Sequence, residues 1–76
     1  SDDTVFITSA NDLTVTSSKE SIKDVLVYDV LGRLIVKKQN INSFSVSLSN
    51  INKMKNTLII YVTLENGKQV IKKVIY

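Results

Sequence analysis

Twenty-five of the 76 residues are valine, isoleucine or threonine, and no apolar period of 3.6 persists along the chain for more than about two turns. A chain so rich in β-branched side chains is built for strands. Seven short strand-like runs stand out, over residues 4–8, 13–17, 23–29, 33–38, 43–48, 57–65 and 68–76. Turn signals separate them: Ala10-Asn11-Asp12, Ser17-Ser18-Lys19-Glu20, Leu31-Gly32, Asn40-Ile41-Asn42, residues 49–56, and Asn66-Gly67. Seven strands at this spacing predict one all-β domain over 1–76, a seven-stranded antiparallel immunoglobulin-like β-sandwich. A single helical turn has room only within 50–56.

Two segments are regular enough to assign faces. In 43–49, Phe44, Val46 and Leu48 alternate with four serines, so Phe44 is expected in the core. In the last hairpin, Asn66-Gly67 predicts a two-residue type I′ turn, whose two central residues both need φ > 0. That turn sets Glu65 opposite Lys68 and Tyr61 opposite Lys72. One face then collects Leu58, Ile60, Val62, Leu64, Ile71 and Ile75 as core, with Lys73 opposite Ile60 as an inward-leaning lysine. Ile59, Val70 and Val74 fall on the other face, where either a neighbouring loop or a docking partner would cover them. A three-residue loop would shift this register by one and flip one strand's faces.

What is missing is as informative. The chain has no Cys, His, Pro or Trp. Disulfides, thiolate metal sites and the usual general base are therefore excluded. Asp24 and Asp29 lie five apart on one strand, hence on opposite faces, and cannot flank a substrate. Asp2, Asp3, Asn11 and Asp12 offer oxygen ligands but no recognisable calcium spacing. Gly32 and Gly67 stand at separate turns, so no glycine loop cradles a nucleotide. The expectation is a non-catalytic module without cofactor or metal.

Residues 1–18 carry Asp2, Asp3 and Asp12 and no basic group, a net −3. Residues 19–76 carry all 10 basic groups against Glu20, Asp24, Asp29 and Glu65, a net +6. Such a surface suits either a polyanion or plain solubility with protected sheet edges. Only Tyr28 and Tyr61 lie in the basic part as stacking platforms, so the solubility reading is preferred and no nucleic acid is expected. The longest wholly apolar run, 58–62, is far short of a membrane-spanning helix. With no signal-peptide pattern at the start, the chain reads as a mature protein or a piece excised from a longer one.

Three motifs, in order, resemble a known family. Val25-Leu26-Val27-Tyr28-Asp29-Val30-Leu31-Gly32-Arg33 is similar to the V-x-V-Y-D-x-x-G-R strand and turn of type IX secretion system C-terminal sorting domains. Ser43 to Leu48 with Asn50-Ile51 falls where that family has V-x-L-S-x-L. Val62 to Lys68, followed by Lys72-Lys73-Val74-Ile75-Tyr76, resembles its closing hairpin. Asn56-Thr57-Leu58 replaces the frequent G-x-Y, which suggests a less common subtype.

The resemblance implies an immunoglobulin-like sorting signal carried at the end of a longer secreted precursor in a Gram-negative bacterium. Its implied partners are the type IX translocon, an outer-membrane shuttle protein and a surface sortase that removes it. The implied route runs through the periplasm to the cell surface or the medium, with the domain itself monomeric. Carried onto this sequence, the recognition residues are Asp29, Gly32, Arg33, Gly67 and Lys73. Of these, Arg33 and Lys73 are the preferred contacts, because a planar guanidinium fork suits a partner carboxylate. Failing those, the last strand's Val74, Ile75 and Tyr76 would dock by strand addition. The rival reading is a β-sandwich accessory module that binds glycan or protein at a cell surface. Burial of Phe44 would count against it, since such modules expose aromatics.

Overall fold

The computed structural model describes residues 4–49 and 51–76. Asp2, Asp3 and Asn50 lie outside the described residues. Seven strands form among the described residues: β1 Val5–Ser9, β2 Leu13–Ser17, β3 Ile22–Asp29, β4 Leu34–Lys38, β5 Ser45–Leu48, β6 Thr57–Leu64 and β7 Gln69–Ile75. No helix occurs among the described residues. The strands pair antiparallel in two sheets, ordered β1-β2-β5 and β4-β3-β6-β7. In immunoglobulin lettering this is A-B-E against C′-C-F-G, the arrangement in which the fourth strand joins the C-F-G sheet.

Alternation drives the packing. β6 buries every second residue, Leu58, Ile60, Val62 and Leu64. β3 buries Val25 and Val27, and a register shift between Ile22 and Asp24 lets Ile22 face inward as well. Without that bulge Lys23 would point into the core; with it, Lys23 is exposed. From the facing sheet come Val5, Leu13, Val15 and Leu48. Burial of each such side chain contributes roughly 1.5–3 kcal/mol, which lets a chain without disulfides fold. Ser17, a buried polar residue, donates its hydroxyl to the Glu20 carbonyl at 2.5 Å.

The hairpin register differs from the expected one. The Gly67 N–H donates to the Leu64 carbonyl at 2.9 Å and the Leu64 N–H to the Lys68 carbonyl at 2.8 Å, so the loop has three residues. Gly67 has φ +89, whereas Asn66 does not have positive φ. This is a type I turn closed by a left-handed glycine, with Asn66 Oδ1 accepting the Lys68 N–H at 2.9 Å. Tyr61 consequently pairs with Ile71, not Lys72, and Ile59 pairs with Lys73. Val70, Val74 and Tyr76 turn toward the core, while Ile71, Lys73 and Ile75 are exposed. Lys73 is therefore not the inward-leaning lysine; the half-buried Lys72, opposite Ile60, takes that place.

Phe44 also departs from the expected core position. It is 53% exposed and precedes β5. The Ser43 hydroxyl donates to the Ser45 carbonyl and accepts the Ser45 N–H, a local bend that throws Phe44 out of the alternation.

Candidate functional site

The signature segment folds into a closed turn between β3 and β4. Asp29 Oδ1 accepts the Leu31 N–H at 2.9 Å and the Arg33 N–H at 3.0 Å. Its Oδ2 accepts the Arg33 Nε–H at 2.6 Å. The Asp29 N–H donates to the Arg33 carbonyl and the Gly32 N–H to the Asp29 carbonyl, at 3.0 and 3.1 Å. Gly32, at φ +84, makes the left-handed step that lets the chain return. Every residue of D-x-x-G-R that the motif specifies thus has a geometric task.

The pair is asymmetric in exposure: the Arg33 side chain is 74% exposed and that of Asp29 only 14%. The Arg33 backbone N–H above all, then its guanidinium and the Leu31 N–H, hold the Asp29 carboxyl below the ordinary carboxylate range, although burial opposes them. At the tip, Val30 and Leu31 are 66% and 76% exposed.

Register shows which expected residues share this end of the sheet. Asp29 pairs with Leu58, and Leu58 with Val74. Tyr28 pairs with Ile59, and Ile59 with Lys73, which sets Lys73 two strands, roughly 10 Å, from Tyr28. Asp29, Gly32, Arg33, Lys73, Val74 and Ile75 therefore gather at one end. Gly67 lies at the other, about 20 Å along β6.

Tyr76 has a different role. Only 4% exposed, it exchanges backbone hydrogen bonds with Asn56, accepts one from Met54, and donates its hydroxyl to the Asn11 carbonyl at 3.0 Å. Lys53 sits 5.5 Å from its ring centre. Tyr76 thus ties the β1–β2 turn to the loop before β6, and no partner strand can reach its ring.

The outer face of the four-stranded sheet keeps Ile59 where it was expected, but Val70 and Val74 turn inward, and Leu26, Tyr28 and Ile71, which sequence reasoning did not bring together, take their place. There Leu26, Tyr28, Ile59 and Tyr61 are half-buried, and Ile71 is 57% exposed. The tyrosine rings meet edge to face, 5.5 Å apart at 82°. The signal was present: the run 58–62 is apolar at every position, so both of its faces had to be apolar.

Among the described residues no group of three or more acidic side chains is placed to hold a metal ion. No helix there is long and apolar enough to cross a membrane. The profile of a family described as a domain of unknown function, DUF8694, matches residues 1–76. A search of curated proteins gives no match.

Proposed function

The chain belongs to the DUF8694 family, and we propose that it serves as a sorting signal of the type IX kind, read by export machinery at the outer membrane. The observation that carries the reading is the Asp29–Arg33 turn. The residues of the resembling motif are the ones that close it, and they hold an exposed guanidinium beside an exposed apolar tip. A signal read by rigid machinery gains from a recognition element ordered before it binds, because less entropy is lost on docking. Lys73 and Ile75 lie exposed at the same end and extend the surface a reader would meet.

On this reading the domain is a passenger's address, without catalysis of its own. It is delivered through the periplasm, engaged by a shuttle and translocon, and removed by a sortase. Position tests it. A reporter carrying these residues at its extreme C-terminus is exported from a bacterium that has the system. The same residues followed by a further folded domain are not. Equal export from both placements contradicts a terminal sorting signal.

A second reading has one observation in its favour. Phe6 and Phe44 are 50% and 53% exposed, so the expected burial of Phe44 no longer counts against a glycan- or protein-binding accessory module. Such a module works wherever it is placed, which the same pair of fusions distinguishes.

A further inference from the structure

The two sheets of this sandwich differ in what they turn outward, although β1 also exposes Phe6. On the three-stranded sheet the outer positions of β2 and β5 are Thr14, Thr16, Ser45 and Ser47, the polar exterior ordinary for an antiparallel sandwich. On the four-stranded sheet Asp24, Thr63 and Gln69 form one polar outer row, but the next two rows are apolar across neighbouring strands. Cross-strand register arranges them in two rows: Lys37, Leu26, Tyr61, Ile71, and beside it Tyr28, Ile59, Lys73. The exposed lysines occupy opposite edges, Lys37 on β4 and Lys73 on β7. Between them a groove of about 490 Å³ opens along Leu26, Tyr28, Ile59 and Tyr61 toward the Asp29–Arg33 turn.

We propose that this face is a docking surface for a polypeptide segment that carries an apolar or aromatic side chain between two carboxylates. The apolar rows supply the contact area, and the lysines fix orientation by opposite charge. Lys37 and Lys73 lie three strand spacings apart and one row out of line, roughly 16 Å between backbones. Their long side chains can shorten this to roughly 13 Å, which an extended segment covers in about four residues. Positions i and i+4 of such a segment share a face with i+2, so the charge spacing of the sheet matches a strand-like ligand.

Other occupants fit less well. A polyanion needs a contiguous basic track, whereas here an apolar floor separates the lysines. A sugar or base platform needs rings lying flat to the surface, and the two tyrosines stand 82° to one another. A second copy brings Asp24 and Asp29 to this face, and both are already engaged: Asp24 Oδ1 accepts the Asn40 N–H at 3.2 Å, and both Asp29 oxygens are held by Arg33. The inference rests on the sheet's register and goes beyond the sorting reading, holding whether or not the segment belongs to export machinery.

The test is a titration of the isotope-labelled 76-residue chain, followed by amide NMR shifts. The probe is an acetylated pentapeptide with tryptophan at its centre, aspartate at both ends and threonine between. Its control has lysine at both ends. Expected are shifts confined to the four-stranded sheet, around Lys37, Tyr28, Tyr61 and Ile71, with the control bound about fivefold more weakly. Lys73→Glu and, independently, Lys37→Glu remove that preference, and Ile71→Thr, at an exposed edge position, weakens both peptides. Four results of the titration overturn the proposal. These are no binding, equal affinity for the two peptides, shifts centred on β1, β2 and β5, and tighter binding of a sulfated oligosaccharide at this face. Sedimentation that reveals a dimer closed through Tyr61 and Ile71 overturns it equally.

Discussion

Arg33 Nε lies 2.6 Å from Asp29 Oδ2, while the same carboxylate's other oxygen holds the Arg33 backbone N–H at 3.0 Å. Side chain and main chain of one residue are thus gripped by a single acid four positions earlier. This fixes the approach of Arg33 to solvent more firmly than an exposed ion pair alone would.

The grip has a pH signature. The Asp29 carboxyl is held below its ordinary range, so its stabilising contribution is fully present above about pH 4 and is lost as pH falls through the lower folded value. Asp29→Asn cannot contribute in this way. Its melting temperature should lie below the parent's at pH 7, and the gap should shrink at pH 2. A gap independent of pH would mean that the carboxylate's charge plays no part in closing the turn.

The β6–β7 turn separates two neighbouring residues. Gly67 stands at φ +89 with nothing within 4 Å of where a Cβ would sit, so backbone strain alone sets the cost of Gly67→Val. That cost should be about 1–3 kcal/mol. Asn66→Ala should cost no more than about 1 kcal/mol, the worth of its exposed hydrogen bond to Lys68. Denaturant melts of both variants check the difference. Equal and large losses would point instead to a two-residue turn with both residues left-handed.

That turn also marks where sequence reasoning reached its limit. The strands were legible because alternation and turn residues are local: β2 lies where it was expected, and β3 needed only the bulge near Lys23. Register is not local. Asn66-Gly67 serves a two-residue or a three-residue loop, and the single added residue moved Lys73, Ile71 and Ile75 from the expected core face to solvent. The Asp29–Arg33 turn was legible in part, since the V-x-V-Y-D-x-x-G-R pattern already set Asp29, Gly32 and Arg33 together at a turn. Its pairing with the Arg33 guanidinium depends on a side-chain geometry that spacing does not specify. The role of Tyr76 was hidden because its partners, Asn11 and Asn56, are distant in sequence or in a loop.

Tyr76 gives a prediction of its own. Tyr76→Phe keeps the ring and leaves the Asn11 carbonyl without its hydroxyl donor, a loss of about 1 kcal/mol. Tyr76→Ala also empties a buried site and should cost roughly 3–5 kcal/mol. Chemical denaturation of both variants tests the order. A Tyr76→Ala domain as stable as the parent would remove Tyr76 from the core.

Lys73 and Arg33 separate recognition from folding. Lys73 is exposed and Arg33 is 74% exposed. Lys73→Gln should therefore stay within about 0.5 kcal/mol of the parent, and Arg33→Gln should lose only what the ion pair with Asp29 supplies. If the sorting reading holds, both substitutions leave a fused reporter in the periplasm, most severely together. Folded, monomeric variants that export normally would shift recognition to the apolar tip of Val30 and Leu31 and to Ile75.

The most direct measurement fuses residues 1–76 to the C-terminus of a periplasmic fluorescent reporter and quantifies reporter outside the outer membrane. It is made in a bacterium bearing the type IX system and in the same strain lacking the translocon. A sorting signal predicts export in the first strain and periplasmic accumulation in the second. Retention of the folded fusion in both strains, or equal release from both, would contradict it.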